Sequence, residues 1–244
     1  MNAELWNPVN GEIRSLENLA NTTNGIKIKV KLDAFESFFI IFYHYVKKSE
    51  KGTSSTENFP ERSAVMDIEG PWNVAFDTAW GGPEYIVFDT LEDWTERREE
   101  GIRYYSGIAV YSIDFYSPGL SEKRKKQEYF LDLGKVRNIA RVRLNGKDLG
   151  IVWTAPWHVN ISDALRKKNN HLEIEVANLW INRLIGDESK PWDGVEDGKW
   201  PEWLLKGTPR KSGRYTFTTH RYYKEGDSLV ESGLIGPVQL LISD

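Results

Sequence analysis

A strand–turn–strand pattern at residues 139–153 constrains the fold of this chain more than any other feature. From Ala140 to Leu144, apolar residues alternate with arginines, which gives a β-strand one apolar face and one charged face. Asn145-Gly146 follows, and this dipeptide favours a two-residue hairpin turn because both positions tolerate positive φ angles. The chain then returns through a second alternating set at Leu149, Ile151 and Trp153. The pattern predicts an antiparallel β-hairpin.

Alternation with a period of two recurs through most of the chain after residue 68. The apolar face begins at Ala109 in residues 108–116 and at Leu172 in residues 171–177. Many short strands separated by turn signals, with almost no helix, predict an all-β sandwich or jelly roll. Besides the hairpin, the predicted strands are residues 73–77, 85–89, 108–116, 171–177, 214–219 and 237–242.

A second and smaller β pattern precedes this region. Residues 26–32 alternate strictly between apolar residues and lysines, and residues 37–46 are aromatic and β-branched, which predicts a more fully buried strand. These strands predict that residues 1–48 are a short β segment, the tail of a preceding β-sandwich domain. Residues 49–66 have the polar composition of a linker, and residues 67–244 form the predicted jelly-roll domain.

Composition and charge exclude several classes of protein. The formal net charge of −4 argues against a nucleic-acid partner, because binding phosphates requires a basic surface. The sequence has no cysteine, which excludes disulfides, thiol catalysis and cysteine-ligated metals. Its longest apolar run, Phe38 to Phe42, is too short to span a membrane, and residues 1–20 lack the pattern of a signal peptide.

The sequence also lacks the motifs of common catalytic sites. No serine stands in a Gly-x-Ser-x-Gly frame, and no glycine-rich loop matches a phosphate-binding motif. No pair of histidines has the i, i+4 spacing of a helical zinc site. We therefore expect no catalytic residue and no cofactor to be recognisable from motifs.

Tryptophan is the anomaly of the composition, since six of the ten tryptophans lie between Trp153 and Trp203. Aromatic rings offer flat apolar faces that suit the C–H side of a sugar ring. Acidic residues are interleaved with these tryptophans, and carboxylates bind vicinal hydroxyls, so the sequence predicts a sugar site in the excursion at 180–203. The alternative is a surface loop pinned by tryptophans, with acids that are simply solvated. The candidate ligand-binding residues are Trp180, Asn182, Arg183, Asp187, Trp192, Asp193, Trp200, Trp203, Arg214 and His220.

Several segments resemble known glycosidase domains. Leu131–Val136, Ala140–Gly150, Trp153, Pro156, Asn160–Ser162 and Leu172–Asn178 resemble the sugar-binding jelly-roll domain of glycoside hydrolase family 2. Other segments are similar to the C-terminal region of family 106-like α-L-rhamnosidases: residues 6–13, 36–42, Trp72–Phe76, Gly81–Pro83, Leu91–Trp94, Tyr105–Gly107, Asn178–Asp187, Gly213–Phe217 and Ser232–Pro237. The string Asn178–Asp187 is the most specific of these.

The resemblance implies a galactose-binding-like jelly-roll fold. It also implies that the catalytic acids lie in a separate upstream barrel domain, so no catalytic residue can be transferred to this chain. The implied partners are carbohydrate and that catalytic domain, with no nucleic acid and no membrane, and the implied location is periplasmic or extracellular. Domains of this type often hold a structural calcium ion, but no ligand spacing here is specific enough to assign one.

Three hypotheses of function follow. The first is a non-catalytic carbohydrate-binding accessory module of a glycoside hydrolase that acts on rhamnose-containing or related glycans, with an aromatic and acidic cleft. The second is a purely structural sandwich that packs on a catalytic barrel and therefore exposes a large apolar patch. The third is a free-standing hydrolase that uses Asp187 with Asp193 or Glu202, which requires two nearby carboxyl groups, one with a raised pKa.

Overall fold

The computed structural model describes residues 2–44, 57–117 and 127–243. The helices are short: α1 (Glu100–Arg103), α2 (Ile181–Asp187) and α3 (Glu202–Leu205), with 3₁₀ turns at Thr78–Trp80 and Trp94–Glu96. Within this described part, no helix has the length and apolar character needed to cross a membrane. The strands are β1 (Asn2–Trp6), β2 (Ile13–Leu16), β3 (Ala20–Thr22), β4 (Gly25–Lys27), β5 (Phe39–Tyr43), β6 (Arg62–Asp67), β7 (Trp72–Phe76), β8 (Tyr85–Phe88), β9 (Ile108–Phe115), β10 (Tyr129–Asp132), β11 (Lys135–Arg137), β12 (Ile139–Leu144), β13 (Lys147–Val152), β14 (His158–Asn160), β15 (Asn170–Ala177), β16 (Gly233–Gly236) and β17 (Gln239–Ser243).

Two antiparallel sheets form a sandwich. The first has six strands in the order β13-β12-β15-β9-β7-β8, and the second has four in the order β14-β10-β17-β6. Residues of both sheets share one hydrophobic core, in which Val142 and Ile174 of the first sheet and Leu131 and Leu240 of the second are almost fully buried. The predicted all-β sandwich is therefore confirmed.

The strands with the clearest alternation form as predicted. Asn145 and Gly146 adopt φ angles of 56° and 80° and connect β12 to β13, so the hairpin is confirmed. The apolar side chains of β9 and β15 that alternate along the sequence are all buried, from Ala109 to Phe115 and from Leu172 to Val176. The local alternation of apolar and polar residues determines where these strands form, because one face of each strand packs on the core.

A buried polar contact lies at the centre of the sandwich. Trp94 Nε1 donates a hydrogen bond to the hydroxyl of Tyr111 at 2.6 Å, and the backbone N–H of Leu234 donates to the same oxygen at 3.2 Å. Burial raises the pKa of the Tyr111 hydroxyl well above its ordinary range, so the group stays protonated. This contact joins the middle of the six-stranded sheet to the turn at Trp94 and to the start of the C-terminal strands.

The N-terminal unit is a separate three-stranded sheet in the order β2-β1-β5, with the small pair β3-β4 beside it. The strand predicted at residues 26–32 is wrong beyond Lys27, because β3 offers partners only for Gly25–Lys27. The side chains of Val30 and Leu32 are exposed, so they are not buried against an apolar face as the alternation predicts. The prediction that residues 37–46 are more fully buried is wrong for β5, since Phe39 and Phe42 are exposed, and residues 45 and 46 lie outside the described residues.

Two other predictions need correction. Residues 62–66, placed in the predicted linker 49–66, belong to β6, which pairs with β17 at the edge of the four-stranded sheet. Residues 49–56 lie outside the described residues, and the proposed division into domains stays a prediction. The strand predicted at residues 214–219 does not form, because the N–H groups of Tyr215 and Thr216 donate to the carboxylate of Asp187 instead of to a neighbouring strand.

Gly233 tests how tightly the centre of the sandwich is packed. It has a φ angle of +95°, and an added Cβ would lie 2.5 Å from Trp94 Nε1. We expect Gly233→Ala to lower the free energy of unfolding by about 3 kcal/mol, since it adds steric overlap to an unfavourable backbone conformation. Urea unfolding measures the change. The matched control is Gly213→Ala, because Gly213 has a φ of +77° with open space around it, and it should cost about 1 kcal/mol. Equal losses in the two variants would contradict the packing explanation.

Candidate functional site

The aromatic excursion is anchored at its start by two asparagines of the string Asn178–Asp187. Asn178 Nδ2 donates to the carbonyl of Tyr105 at 2.9 Å and to Ser232 Oγ at 3.0 Å. Asn182 Nδ2 donates to the carbonyl of Val230 at 2.6 Å, and its Oδ1 accepts from the N–H of the same residue at 2.8 Å. Asn182 is only 2% exposed. The structure therefore places this predicted ligand residue in the framework that supports the site.

Asp187, also predicted to bind ligand, fixes a distant segment. Its Oδ2 accepts hydrogen bonds from the N–H of Tyr215 at 2.9 Å, the N–H of Thr216 at 2.7 Å and the hydroxyl of Thr216 at 2.7 Å. The side chain is 1% exposed. One carboxylate at the end of α2 therefore holds residues 215 and 216 against the excursion, which is a structural role for Asp187.

Arg214 and Trp192 belong to an internal ionic network. Glu188 accepts from Arg214 Nη2 at 2.6 Å and from Arg221 Nε at 2.8 Å. The guanidinium carbons of Arg214 and Arg221 lie 5.0 and 5.4 Å from the centroid of the Trp192 ring. Cations at this distance interact favourably with an indole face. The contacts of Trp192 are thus with arginines of its own chain.

Asp193 joins residues 203, 210 and 212 through hydrogen bonds, which we call the Asp193 connection. Its carboxylate accepts from Arg210 Nε at 2.5 Å, Arg210 Nη2 at 2.6 Å and Ser212 Oγ at 2.5 Å. Its backbone carbonyl accepts from Trp203 Nε1 at 2.9 Å. Burial acts to raise the pKa of Asp193, but the hydrogen bonds from Arg210 and Ser212 outweigh it and hold that pKa below its ordinary value.

Several aromatic rings of the excursion and of neighbouring segments are exposed. Trp180 and Trp80 are 49% and 36% exposed, and their rings meet edge to face with centroids 5.2 Å apart. Trp200 and Phe217 are 51% and 37% exposed and stack with centroids 5.9 Å apart and an interplanar angle of 19°. Tyr215 is also partly exposed. We call these five residues, Trp80, Trp180, Trp200, Tyr215 and Phe217, the aromatic strip.

Tyr215 lies near the backbone of the first aromatic pair and two residues before Phe217 of the second. An added Cβ on Gly81 would lie 2.4 Å from the Tyr215 hydroxyl, so the phenol packs against the backbone directly after Trp80. Burial alternates along residues 214–217, where Arg214 and Thr216 are buried, so Tyr215 and Phe217 point to the same exposed side. The strip thus consists of two ring pairs, with Tyr215 close to the backbone of the first and near Phe217 of the second in sequence.

The structure brings only some of the predicted residues to this surface. Trp180 and Trp200 lie in the strip, Trp203 packs at its border with its ring 5.9 Å from that of Phe217, and exposed His220 contacts Tyr222. Sequence reasoning missed Trp80, Tyr215 and Phe217. The alternation that includes Tyr215 and Phe217 is visible in the sequence, but it predicts a strand that closes the sheet and not an exposed aromatic surface. It also missed the internal partners of the excursion, which are Glu188, Arg210 and Ser212.

Among residues 2–44, 57–117 and 127–243, no group of three or more histidine, aspartate or glutamate side chains is arranged to hold a metal ion. The structural calcium ion implied by the resemblance stays a prediction.

The Asp193 connection predicts a pH-dependent contribution to stability. Because the pKa of Asp193 is lower in the folded chain than the ordinary value of about 3.9, its stabilisation is complete above that value and is lost as pH falls through the folded pKa. We expect Asp193→Asn to lower the free energy of unfolding at pH 7 by about 2 kcal/mol, since it weakens charged hydrogen bonds. Urea unfolding from pH 7 down to pH 3 should show the difference from wild type narrowing below about pH 4.

Asp197→Asn is the control for that experiment. Asp197 is exposed on the same excursion, so this variant removes the same formal charge outside the network. It should change the free energy of unfolding by less than about 0.5 kcal/mol. A pH-independent difference for Asp193→Asn would contradict the assigned ionic role.

Comparison with known proteins identifies the domain. Residues 96–211 match the family of glycosyl hydrolase 2 galactose-binding domain-like sequences. A curated protein of Formosa agariphila named "Putative beta-glucuronidase" is 40% identical over 178 residues, which is 71% of this chain and 15% of that protein. The solved rhamnosidase structure from Novosphingobium sp. PP1Y is 31% identical with a TM-score of 0.77, over 99% of this chain and 20% of that one.

This chain therefore spans only about a fifth or less of the length of these two relatives. The family match includes β9 to β15 and the whole excursion at 180–203, so it covers four of the six strands of the larger sheet, and β7 and β8 lie outside it. The chain thus contains a galactose-binding-like domain of the glycosyl hydrolase 2 type, and its resemblance to family 2 and rhamnosidase-like enzymes is confirmed.

Proposed function

We propose that this chain is a non-catalytic accessory region of a larger glycoside hydrolase and that it binds carbohydrate through the aromatic strip. The observation that carries the proposal is a row of exposed aromatic rings held on an internally bonded framework. The relatives support the enzymatic context, since the domain is shared with proteins named as a glucuronidase and a rhamnosidase. The catalytic domain of such an enzyme is the proposed partner.

The framework explains how the strip would gain affinity. A sugar ring packs its C–H face on an aromatic ring, and the affinity depends on how much side-chain freedom is lost on binding. Asp187 fixes the backbone that carries Tyr215, and the Asp193 connection fixes Trp203, which packs against Phe217. The rings are thus positioned before a ligand arrives, so less ordering is needed on binding.

The proposed ligand is a glycan that contains rhamnose or related sugars. A solved relative is titled a rhamnosidase, and the exposed rings of two separate pairs offer stacking surfaces for more than one sugar unit. Binding an extended glycan would hold the catalytic domain near its polymeric substrate. Because polysaccharides of this kind are found outside the cytoplasm, the proposed location is periplasmic or extracellular.

A second candidate function has its own supporting observation. A carbohydrate-binding module is expected to have an aromatic and acidic cleft, but the strip is an open surface. The carboxylates of Asp187, Glu188 and Asp193 are all hydrogen-bonded within the chain. An exposed apolar surface of this kind also suits a face that packs on another domain. In this candidate, the strip contacts the catalytic domain of the parent enzyme.

The hydrolase alternative has less support. A general acid in glycoside hydrolysis needs a raised pKa, whereas the pKa of Asp193 is lowered. Asp187 is enclosed and accepts three hydrogen bonds through one oxygen. Neither carboxyl group is therefore arranged to protonate a glycosidic oxygen.

Calorimetric titration with L-rhamnose and rhamnose-containing oligosaccharides tests carbohydrate binding. We expect saturable binding that Trp180→Ala and Trp200→Ala each weaken by about tenfold, because each removes a stacking surface. The control is Trp6→Ala, since Trp6 is an exposed tryptophan of β1 outside the strip. Equal loss in the control would show that the strip is not the site.

Oxidation of exposed tryptophans by N-bromosuccinimide separates the two candidates. If no sugar binds, and if Trp180 and Trp200 are protected in the full-length enzyme but react in this chain, the strip is a docking face. If both react equally in the two proteins, the docking candidate is wrong.

A further inference from the structure

Arg183 differs from the other arginines that support the aromatic strip. Arg210 donates a hydrogen bond to the carboxylate of Asp193 at 2.6 Å, and Arg214 donates one to the carboxylate of Glu188 at 2.6 Å. Arg183 is 6% exposed, yet within the described residues it forms no salt bridge, and its Nε has no hydrogen-bond partner. Its single described hydrogen bond runs from Nη2 to the carbonyl of Trp80 at 3.3 Å.

Leaving a buried guanidinium without a bound anion is unfavourable, because the Trp80 carbonyl and the Tyr215 ring replace only part of the hydration that the charge loses. Burial lowers the pKa of Arg183, while the nearby charge of Asp187 acts in the opposite direction. However, Asp187 Oδ2 already accepts three hydrogen bonds from Tyr215 and Thr216. The chain therefore provides a cation with an unused donor and a carboxylate that is already engaged elsewhere.

The position of Arg183 links this cation to the aromatic strip. Its guanidinium carbon lies 4.5 Å from the centroid of the Tyr215 ring, and its hydrogen bond is to the backbone of Trp80. Tyr215 is 40% exposed, so the buried guanidinium packs against a ring that itself reaches the surface. Because Arg183 is buried, a ligand can reach it only when a neighbouring side chain such as Tyr215 moves aside.

We propose that Arg183 binds the carboxylate of a uronic acid unit that stacks on Trp80 and Trp180. A guanidinium presents its N–H groups in a planar fork that matches a carboxylate, and this geometry makes arginine more selective than lysine. The adjacent rings select for an anion attached to a sugar over a free anion. This inference rests on the proposed carbohydrate-binding function and specifies its ligand as an acidic glycan.

Calorimetric titration with a pair of oligosaccharides of equal length and linkage tests the inference, one containing glucuronic acid and the other glucose at the same position. We expect the wild-type chain to bind the acidic member about tenfold more tightly. Arg183→Gln should remove this preference and leave the affinity for the neutral member within about twofold. Arg98→Gln is the control, because Arg98 is exposed and the variant removes the same charge elsewhere.

Thermal unfolding of the same variants distinguishes ligand recognition from a structural role. If Arg183 binds ligand, Arg183→Gln should melt close to the wild-type temperature, because the guanidinium has no salt-bridge partner in the described residues and donates one described hydrogen bond. A large decrease in melting temperature together with an unchanged acidic preference would overturn the inference. If Arg183→Gln fails to fold, Arg183→Lys takes its place: it keeps the charge but lacks the fork, and it should also lose the acidic preference.

The titrations separate this inference from the function on which it rests. Equal affinity of the wild-type chain for the acidic and neutral oligosaccharides would overturn the role of Arg183 and leave carbohydrate binding in place. An acidic preference that survives in Arg183→Gln would also overturn that role. Failure to bind either oligosaccharide would overturn both proposals.

Discussion

The Tyr111 hydroxyl, buried where the two sheets meet, is the contact on which the rest of the domain depends. It accepts hydrogen bonds from Trp94 and from the backbone of Leu234, so it joins the central strand β9 to the C-terminal strands. Ser232, two residues before Leu234, is in turn bonded to Asn178 and Asn182. The core of the sandwich and the root of the aromatic excursion are therefore continuous through one polar network.

Three carboxylates of the excursion point inward, and two of its tryptophans, Trp180 and Trp200, are exposed. Asp187, Glu188 and Asp193 each bind groups of their own chain, which fixes a long segment that has little regular secondary structure. The exposed surface of the excursion carries the rings of Trp180 and Trp200 together with charged side chains such as Glu196, Asp197 and Lys199. The resulting site is an open aromatic surface, which the interleaving of acids and tryptophans in the sequence did not predict.

The sequence predicted those parts of the fold that depend on neighbouring residues. Alternation and the Asn145-Gly146 turn determine the β12–β13 hairpin locally, and both were interpreted correctly. The segment at residues 214–219 was not predictable, because its N–H groups bond to Asp187, which lies 28 and 29 residues away. Nothing local indicates that Trp80 meets Trp180, or whether a polar residue such as Asn182 points inward.

Part of the framework below the rings contacts main-chain atoms. Asn182 binds the N–H and the carbonyl of Val230, and Asp187 binds the N–H groups of Tyr215 and Thr216. Hydrogen bonds to the main chain persist when the side chain at the partner position changes. Substitutions among the exposed rings can therefore accumulate in evolution without loss of the loop conformation, and one scaffold can diversify toward different surfaces. The same property makes this excursion a suitable starting point for libraries of variants.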